Sequence, residues 1–217
     1  MKWLLFGLVA AFAANPAGPV WPDKFSAQWN DVSFWTAAHS SSGQLDYSWN
    51  GGVHPTLHWH WIDGWAEPYC WQSLPMPWDV QCEHFVVNGQ RFLYYQYLNE
   101  CCMCCDDSQG CGVPPPDFMQ NSAYQGTVTY LGRSLYSWNF NNQFNYLETV
   151  DASPTNRDWA ELISTPSNFT NVWAFTPSVD PSVFALPAIC TPVRACPAGP
   201  CLTRRTNNCT NEPIYFF

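Results

Sequence analysis

Across residues 44–50 every second side chain is apolar, with Leu45, Tyr47 and Trp49 alternating with Gln44, Asp46, Ser48 and Asn50. Only an extended strand, whose side chains point alternately to two faces, turns that order into one dry and one wet surface. The pattern recurs. Residues 56–62 set Leu57, Trp59 and Trp61 on one side and His58 and His60 on the other. Residues 84–87 and 90–97 flank Asn88-Gly89, whose tolerance of positive φ suits a type I′ hairpin turn. Residues 124–131, 134–140 and 143–149, separated by Gly132-Arg133 and Asn141-Asn142, read as a three-strand meander with Tyr136, Trp138 and Phe140 on one face. Residues 170–176 read as a further strand. The pattern predicts a mainly β fold built on an antiparallel sheet.

Helix is scarce. Residues 157–163 place Trp159, Leu162 and Ile163 at i, i+3 and i+4, which predicts one or two helical turns. Asp180-Pro181 has the form of an N-cap followed by proline at the first helical position, with one turn through Phe184.

Export follows from the N-terminus and the cysteines. Lys2 precedes an apolar run over residues 3–12 with small residues around Phe12, so residues 1–13 read as a signal peptide. The run is too short to span a bilayer, and no later stretch approaches the roughly 20 apolar residues required. Eleven cysteines are Cys70, Cys82, Cys101, Cys102, Cys104, Cys105, Cys111, Cys190, Cys196, Cys201 and Cys209. In an oxidising compartment they form five bridges and leave one thiol over, each bridge contributing about 2–4 kcal/mol. Asn168-Phe169-Thr170 and Asn208-Cys209-Thr210 are glycosylation sequons at Asn168 and Asn208. The expected organisation is a β domain over 14–189 and a Cys/Pro-rich extension over 190–217. The crowded cysteines and triple proline of 101–116 form a bridged loop between sheet segments.

The net charge of −9, with eight basic residues scattered along the chain, offers no basic face for phosphates and argues against nucleic acid or anionic membranes as partners. Polarity is carried by neutral side chains, since only 12% of residues are charged while 17% are aromatic. Among groups able to do chemistry, His58 and His60 project to one face of a strand about 7 Å apart, a spacing found in metal sites, with His54 or His84 as a third ligand. The run Cys101-Cys102-Met103-Cys104-Cys105 reads as structural disulfides rather than a thiolate cluster. Asp106-Asp107-Ser108-Gln109-Gly110 lacks the alternating acids of a calcium loop. No Gly-x-Ser-x-Gly elbow is present, and no catalytic constellation is assigned. Tyr47, Trp49, Trp59, Trp61, Tyr95, Tyr136 and Trp138 are the candidate ligand-binding side chains, lining the concave face of a curved sheet.

The order of short motifs resembles the ependymin-related proteins, whose fold is similar to the open half-barrel of bacterial lipoprotein carriers. The matching pieces are Trp21-Pro22 and Phe25, Gly43-Gln44-Leu45-Asp46-Tyr47, and Tyr94-Tyr95 before the cysteine cluster. Later come Tyr124-Gln125-Gly126, Tyr136-Ser137-Trp138 and Phe184-Ala185-Leu186-Pro187-Ala188-Ile189-Cys190. The resemblance implies a strongly curved antiparallel sheet around a hydrophobic pocket, an extracellular or endomembrane location, calcium association and dimerisation. His58 and His60 depart from it, standing where the family has an arginine-bearing strand. The expectation is a secreted glycoprotein that binds a hydrophobic or lipid-like ligand. The alternatives are a carbohydrate-binding or surface-structural protein and, third, a metal-dependent hydrolase built on His58 and His60.

Overall fold

The computed structural model describes residues 15–33, 40–63, 68–74, 80–142, 144–164 and 168–207. The strands are β1 (Lys24–Ser33), β2 (Ser40–Ser48), β3 (Thr56–Asp63), β4 (Glu83–Val87), β5 (Gln90–Tyr95), β6 (Glu100–Asp106), β7 (Ala123–Tyr130), β8 (Arg133–Phe140), β9 (Phe144–Thr149), β10 (Trp159–Ser164) and β11 (Asn168–Thr176). They form one open 11-stranded sheet in the order β6-β5-β4-β3-β2-β1-β11-β10-β9-β8-β7. Its pairings are antiparallel throughout. The first and last strands meet in the middle, so the two edges, β6 and β7, are consecutive in sequence. Residues 107–122 join them.

That connection cannot close the barrel as a further strand, because Pro114, Pro115 and Pro116 have no N–H to give to a ladder. It crosses the inner face as a strap instead. Tyr47 Oη donates to Pro114 O at 2.9 Å, and the Trp21 amide donates to Pro116 O at 2.9 Å. The sheet curls around it. Ring-to-ring steps of 5.3 Å from Tyr47 to Trp21, 4.9 Å to Phe118 and 6.0 Å to Phe140 link β2 to β8. Laid flat, those strands would be separated by about 24 Å, five spacings of about 4.8 Å.

The dry faces read from sequence coincide. Leu45 lies opposite Trp59, and Tyr47 opposite Leu57, in one core with Phe25, Ala27, Trp29, Trp138, Tyr146 and Trp159. The Asn88-Gly89 turn has φ values of 51° and 71°, as a type I′ hairpin demands. The β7–β8 turn falls on Leu131-Gly132, one residue earlier than expected, closing on the pair Tyr130 and Arg133. Asp180 caps a 3-10 turn at Pro181–Phe184 by accepting from Ser182 N at 2.9 Å.

Two expectations are corrected and one strand is added. Residues 157–163 are not helical, since Trp159–Ser164 is β10, hydrogen-bonded on both sides to β9 and β11. A bulge between Trp159 and Glu161 resets the alternation and leaves the apolar residues at helix-like offsets, and the two flanking ladders override so short a local preference. The cysteine run 101–106 is not loop but strand β6. Strand β1, which is not among the strands expected from sequence, carries Phe25, Ala27 and Trp29 in alternation and is central to the sheet.

Strand β6 organises the bridges. A bulge opposite Arg91 and Phe92 leaves Cys104 as the extra residue, so Cys102, Cys104 and Cys105 all join the inner cluster while Cys101 lies with Phe85 and Phe92 on the outer side. The pairs are Cys101–Cys190, Cys102–Cys196, Cys104–Cys201, Cys105–Cys111 and Cys70–Cys82. The C-terminal extension is thereby stapled along β6. The Met103 amide donates to Arg194 O at 2.6 Å and the Cys196 amide to Met103 O at 2.9 Å, covering what would be an open sheet edge. Helices α1 (Pro68–Ser73) and α2 (Gly199–Asn207) pack beside these bridges. Residues 1–14, including the expected signal peptide, and 208–217, with Cys209 and Asn208, lie outside the described residues, as does the Asn168 side chain.

Candidate functional site

Two regions of the sheet gather the residues singled out in the sequence. The first is the inner aromatic face. Tyr47, Trp59 and Trp138 are 0–3% exposed, and Trp49 and Tyr136 pack partly buried at the margin of the same cluster. Trp49 stands just beyond β2, its amide donating to Asp23 O at 2.8 Å. Tyr95 is on the same inner face by register, two residues beyond Leu93, and packs in the disulfide-rich cluster there, where its Oη donates to Cys70 O at 2.7 Å and holds α1. Trp61 lies opposite Gly43 in the ladder, and its side chain is outside the described residues.

The face is covered by residues that the sequence patterns do not assign to this place. Trp21 makes edge contacts with Phe25, Tyr47 and Phe118 and stacks on Trp159. Met119 is 1% exposed. The strap and the N-terminal segment approach so closely that a Cβ on Gly18 would stand 1.9 Å from Gln120 O. Burial pushes the Tyr47 hydroxyl far above its ordinary value, so it remains a neutral donor to Pro114 O.

Inside this face lies a charged pair that no local pattern in the sequence announces. Glu148 Oε1 accepts from Arg157 Nη1 and from Trp138 Nε1, both at 2.8 Å. Arg157 lies 4.9 Å from the Tyr136 ring centroid and also donates to Asp151 O and Ala17 O. Burial pushes the Glu148 carboxyl up to about 7, against the opposing pull of Arg157 and the Trp138 indole.

The second region is the outer face of β2, β3 and β4. Register sets Asp46 opposite His58, Gln44 opposite His60, and His60 opposite Glu83. One ligand atom from each of Asp46, His58 and His60 lies within 4.8 Å of the others. His58 Nε2 donates to Glu83 Oε2 at 2.9 Å. Its ring stacks between Phe85 at 4.2 Å and His60 at 4.9 Å. Burial first, and then the neighbouring His58, hold the His60 imidazole below its ordinary value. The two expected third ligands are elsewhere: His54 is exposed in the β2–β3 connection with φ 53°, and His84 faces inward opposite Trp59.

A cavity of about 240 Å³ opens beside this cluster, lined by His60, Glu83, Gln81, Tyr94, Gln96 and Tyr97. Clusters of Cys70, Cys82 and His84, and of Cys104, Cys105 and Cys111, also have ligand-like spacing, but their sulfurs are tied in disulfides and offer no thiolate. At 106–110, Asp106 and Gln109 form a reciprocal capping box that closes a 3-10 turn, which engages those oxygens in the turn itself rather than in a calcium loop.

Compared with known proteins, the sequence matches no family model and no curated protein. Its backbone is similar to that of an uncharacterized conserved protein from Thermus thermophilus, with TM-score 0.47 and 7% identity over 80% of this chain and 90% of that one. It is also similar to a putative outer membrane lipoprotein-sorting protein domain from Vibrio parahaemolyticus, with TM-score 0.41 and 8% identity over 74% and 88%. A DUF1329 family protein from Desulfovibrio piger gives TM-score 0.39 and 8% identity over 76% and 90%. None of the three is described as ependymin-related.

Proposed function

We propose that the chain is a secreted binding protein that takes a hydrophobic, lipid-like ligand between the inner aromatic face of its sheet and the strap of residues 107–122. The observation that carries this reading is the way the inner face is closed. An open sheet presents a continuous apolar surface from β4 to β8, and what covers it is a proline-rich connection rather than another strand or a helix. Phe118 and Met119 occupy the position an acyl chain or a similar apolar group would take, and burial of either contributes on the order of 25 cal/mol per Å². Exchange of strap for ligand therefore conserves most of the hydrophobic term. Four disulfides hold the rest of the scaffold, and Cys105–Cys111 anchors the start of the strap to β6, so the part free to exchange is residues 112–122.

The test is native mass spectrometry of the secreted, deglycosylated protein, followed by titration with a fluorescent long-chain fatty acid. The expected result is one saturable site per chain with quenching of tryptophan emission, and faster association in Tyr47→Phe, which loses the tie to Pro114 O. Absence of saturable binding in both proteins overturns the reading. A second reading, carbohydrate binding on the outer face, is favoured by Tyr97, 85% exposed beside the polar cavity. Glycan-array binding lost in Tyr97→Ala would identify it.

A further inference from the structure

The outer cluster of Asp46, His58, His60 and Glu83 has the organisation of a metal centre with its supporting shell. A carboxylate oxygen accepts, so the 2.9 Å contact between His58 Nε2 and Glu83 Oε2 places the ring proton on Nε2. In the neutral form of the ring the lone pair is then on Nδ1. That atom is buried, has no hydrogen-bond partner, and lies 3.8 Å from Asp46 Oδ2. His60 Nδ1 is likewise buried and without a hydrogen-bond partner. Gln44 Nε2 donates to both Asp46 oxygens, at 2.9 and 3.0 Å, and fixes the plane of that carboxylate.

Two imidazole nitrogens and a carboxylate oxygen lie within 4.8 Å of one another, while a second carboxylate orients one imidazole from behind. Metal-ligating histidines as a rule donate their other ring N–H to a carboxylate, a backbone carbonyl or water. We infer that Asp46, His58 and His60 bind a divalent transition ion of the zinc class, with Glu83 as the positioning residue behind His58.

Charge favours a dication in that place. Two carboxylates, Asp46 and Glu83, stand against the His58 ring on a largely buried patch, an arrangement that suits a cation between them. Imidazole ligands select zinc, copper or nickel over calcium and magnesium, which prefer all-oxygen shells. The geometry needs little adjustment. With no side of the triangle longer than 4.8 Å, an ion at its centre stands at most about 2.8 Å from each corner, so each ligand moves in by about 0.7 Å or less to reach a zinc bond. His60 and Glu83 also line the 240 Å³ cavity, through which an ion enters and by which a further coordination position meets water or a small anionic ligand.

The site lies on the opposite face of the sheet from the proposed lipid-like ligand, so the two stand or fall separately. The mature chain, secreted with its disulfides intact, is stripped with a chelator and titrated with Zn²⁺ alone, and the retained metal is measured after gel filtration. One zinc per chain is expected for the native sequence, none for His60→Gln, and a 10–100-fold weaker affinity for Glu83→Gln. The unfolding midpoint of metal-free His60→Gln should match that of the metal-free parent, and zinc should raise only the latter. Co²⁺ on the unaltered chain gives a readout that no folding defect can mimic, expected as a visible spectrum of nitrogen and oxygen ligation without thiolate charge transfer. No zinc retained by the native sequence, zinc binding unchanged in a folded His60→Gln, or a thiolate band each overturns the assignment.

Discussion

Arg157 Nη1 donates to Glu148 Oε1 at 2.8 Å with neither side chain more than 2% exposed. A pair so placed is costly to break from one side, because the remaining Glu148 carboxylate has no water and only the Trp138 indole N–H as a partner. Arg157→Met is expected to lower stability by about 3–5 kcal/mol, measured by urea unfolding. A loss below about 1 kcal/mol would mean that water reaches Glu148.

The same carboxyl sets a pH dependence. Its value is raised from 4.5 to about 7, so across that window the folded chain holds a proton that the unfolded chain releases. The contribution of Glu148 to stability is therefore whole at the acid end and is lost as the pH rises through the upper value, with a slope of at most about 1.4 kcal/mol per pH unit. Urea midpoints at about pH 5 and about pH 8 should differ in the native sequence, and Glu148→Gln should remove this component. A difference of the same size in the variant would assign the slope to other groups.

Trp21 packs between the strap and the sheet, touching Phe118 on one side and Tyr47 and Trp159 on the other. Trp21→Ala is expected to cost about 3–5 kcal/mol and to release residues 113–122 to hydrogen exchange before the central strands. Strap and sheet losing protection together would show that the strap is part of the cooperative core.

The three bridges from β6 to the C-terminal segment close nearly the same loop, with separations of 89, 94 and 97 residues. Removing Cys104–Cys201 alone by double serine substitution should cost about 2 kcal/mol of chain entropy, because Cys102–Cys196 still holds the ends together. A loop of that length standing alone would be worth about 5 kcal/mol. Guanidinium unfolding of the single, double and triple bridge deletions should show the large loss only when the last bridge goes.

Gly43 lies opposite Trp29, and a Cβ there would stand 2.3 Å from His60 O and 2.4 Å from the Trp29 ring. Backbone cannot yield as a flexible side chain can. Gly43→Ala is expected to destabilise by about 1–3 kcal/mol, and thermal unfolding within experimental error of the parent would show that the indole swings aside.

Alternation in the sequence was sufficient for the strands around Tyr47, Trp59 and Trp138, and Asn88-Gly89 for the hairpin between β4 and β5, because both signals act over a few neighbouring residues. Eleven cysteines likewise implied bridges, though not their partners. What stayed out of reach depended on register and on distant contacts. That Asp46 joins His58, and Glu83 supports it, follows only once β2, β3 and β4 are aligned, and connections such as residues 49–55 are too long to fix an alignment from sequence. A bulge in β10 gave a strand the spacing of a helix, and another in β6 turned three cysteines to one side. The strap lies over the aromatic face because the chain that must join the two sheet edges has no amide hydrogens where a closing strand would need them. Local chemistry determined which residues would be extended and which would be dry, whereas the pairing of first strand with last, and the placement of the strap, Glu148 with Arg157, and the outer histidines, was decided by packing across the whole sheet.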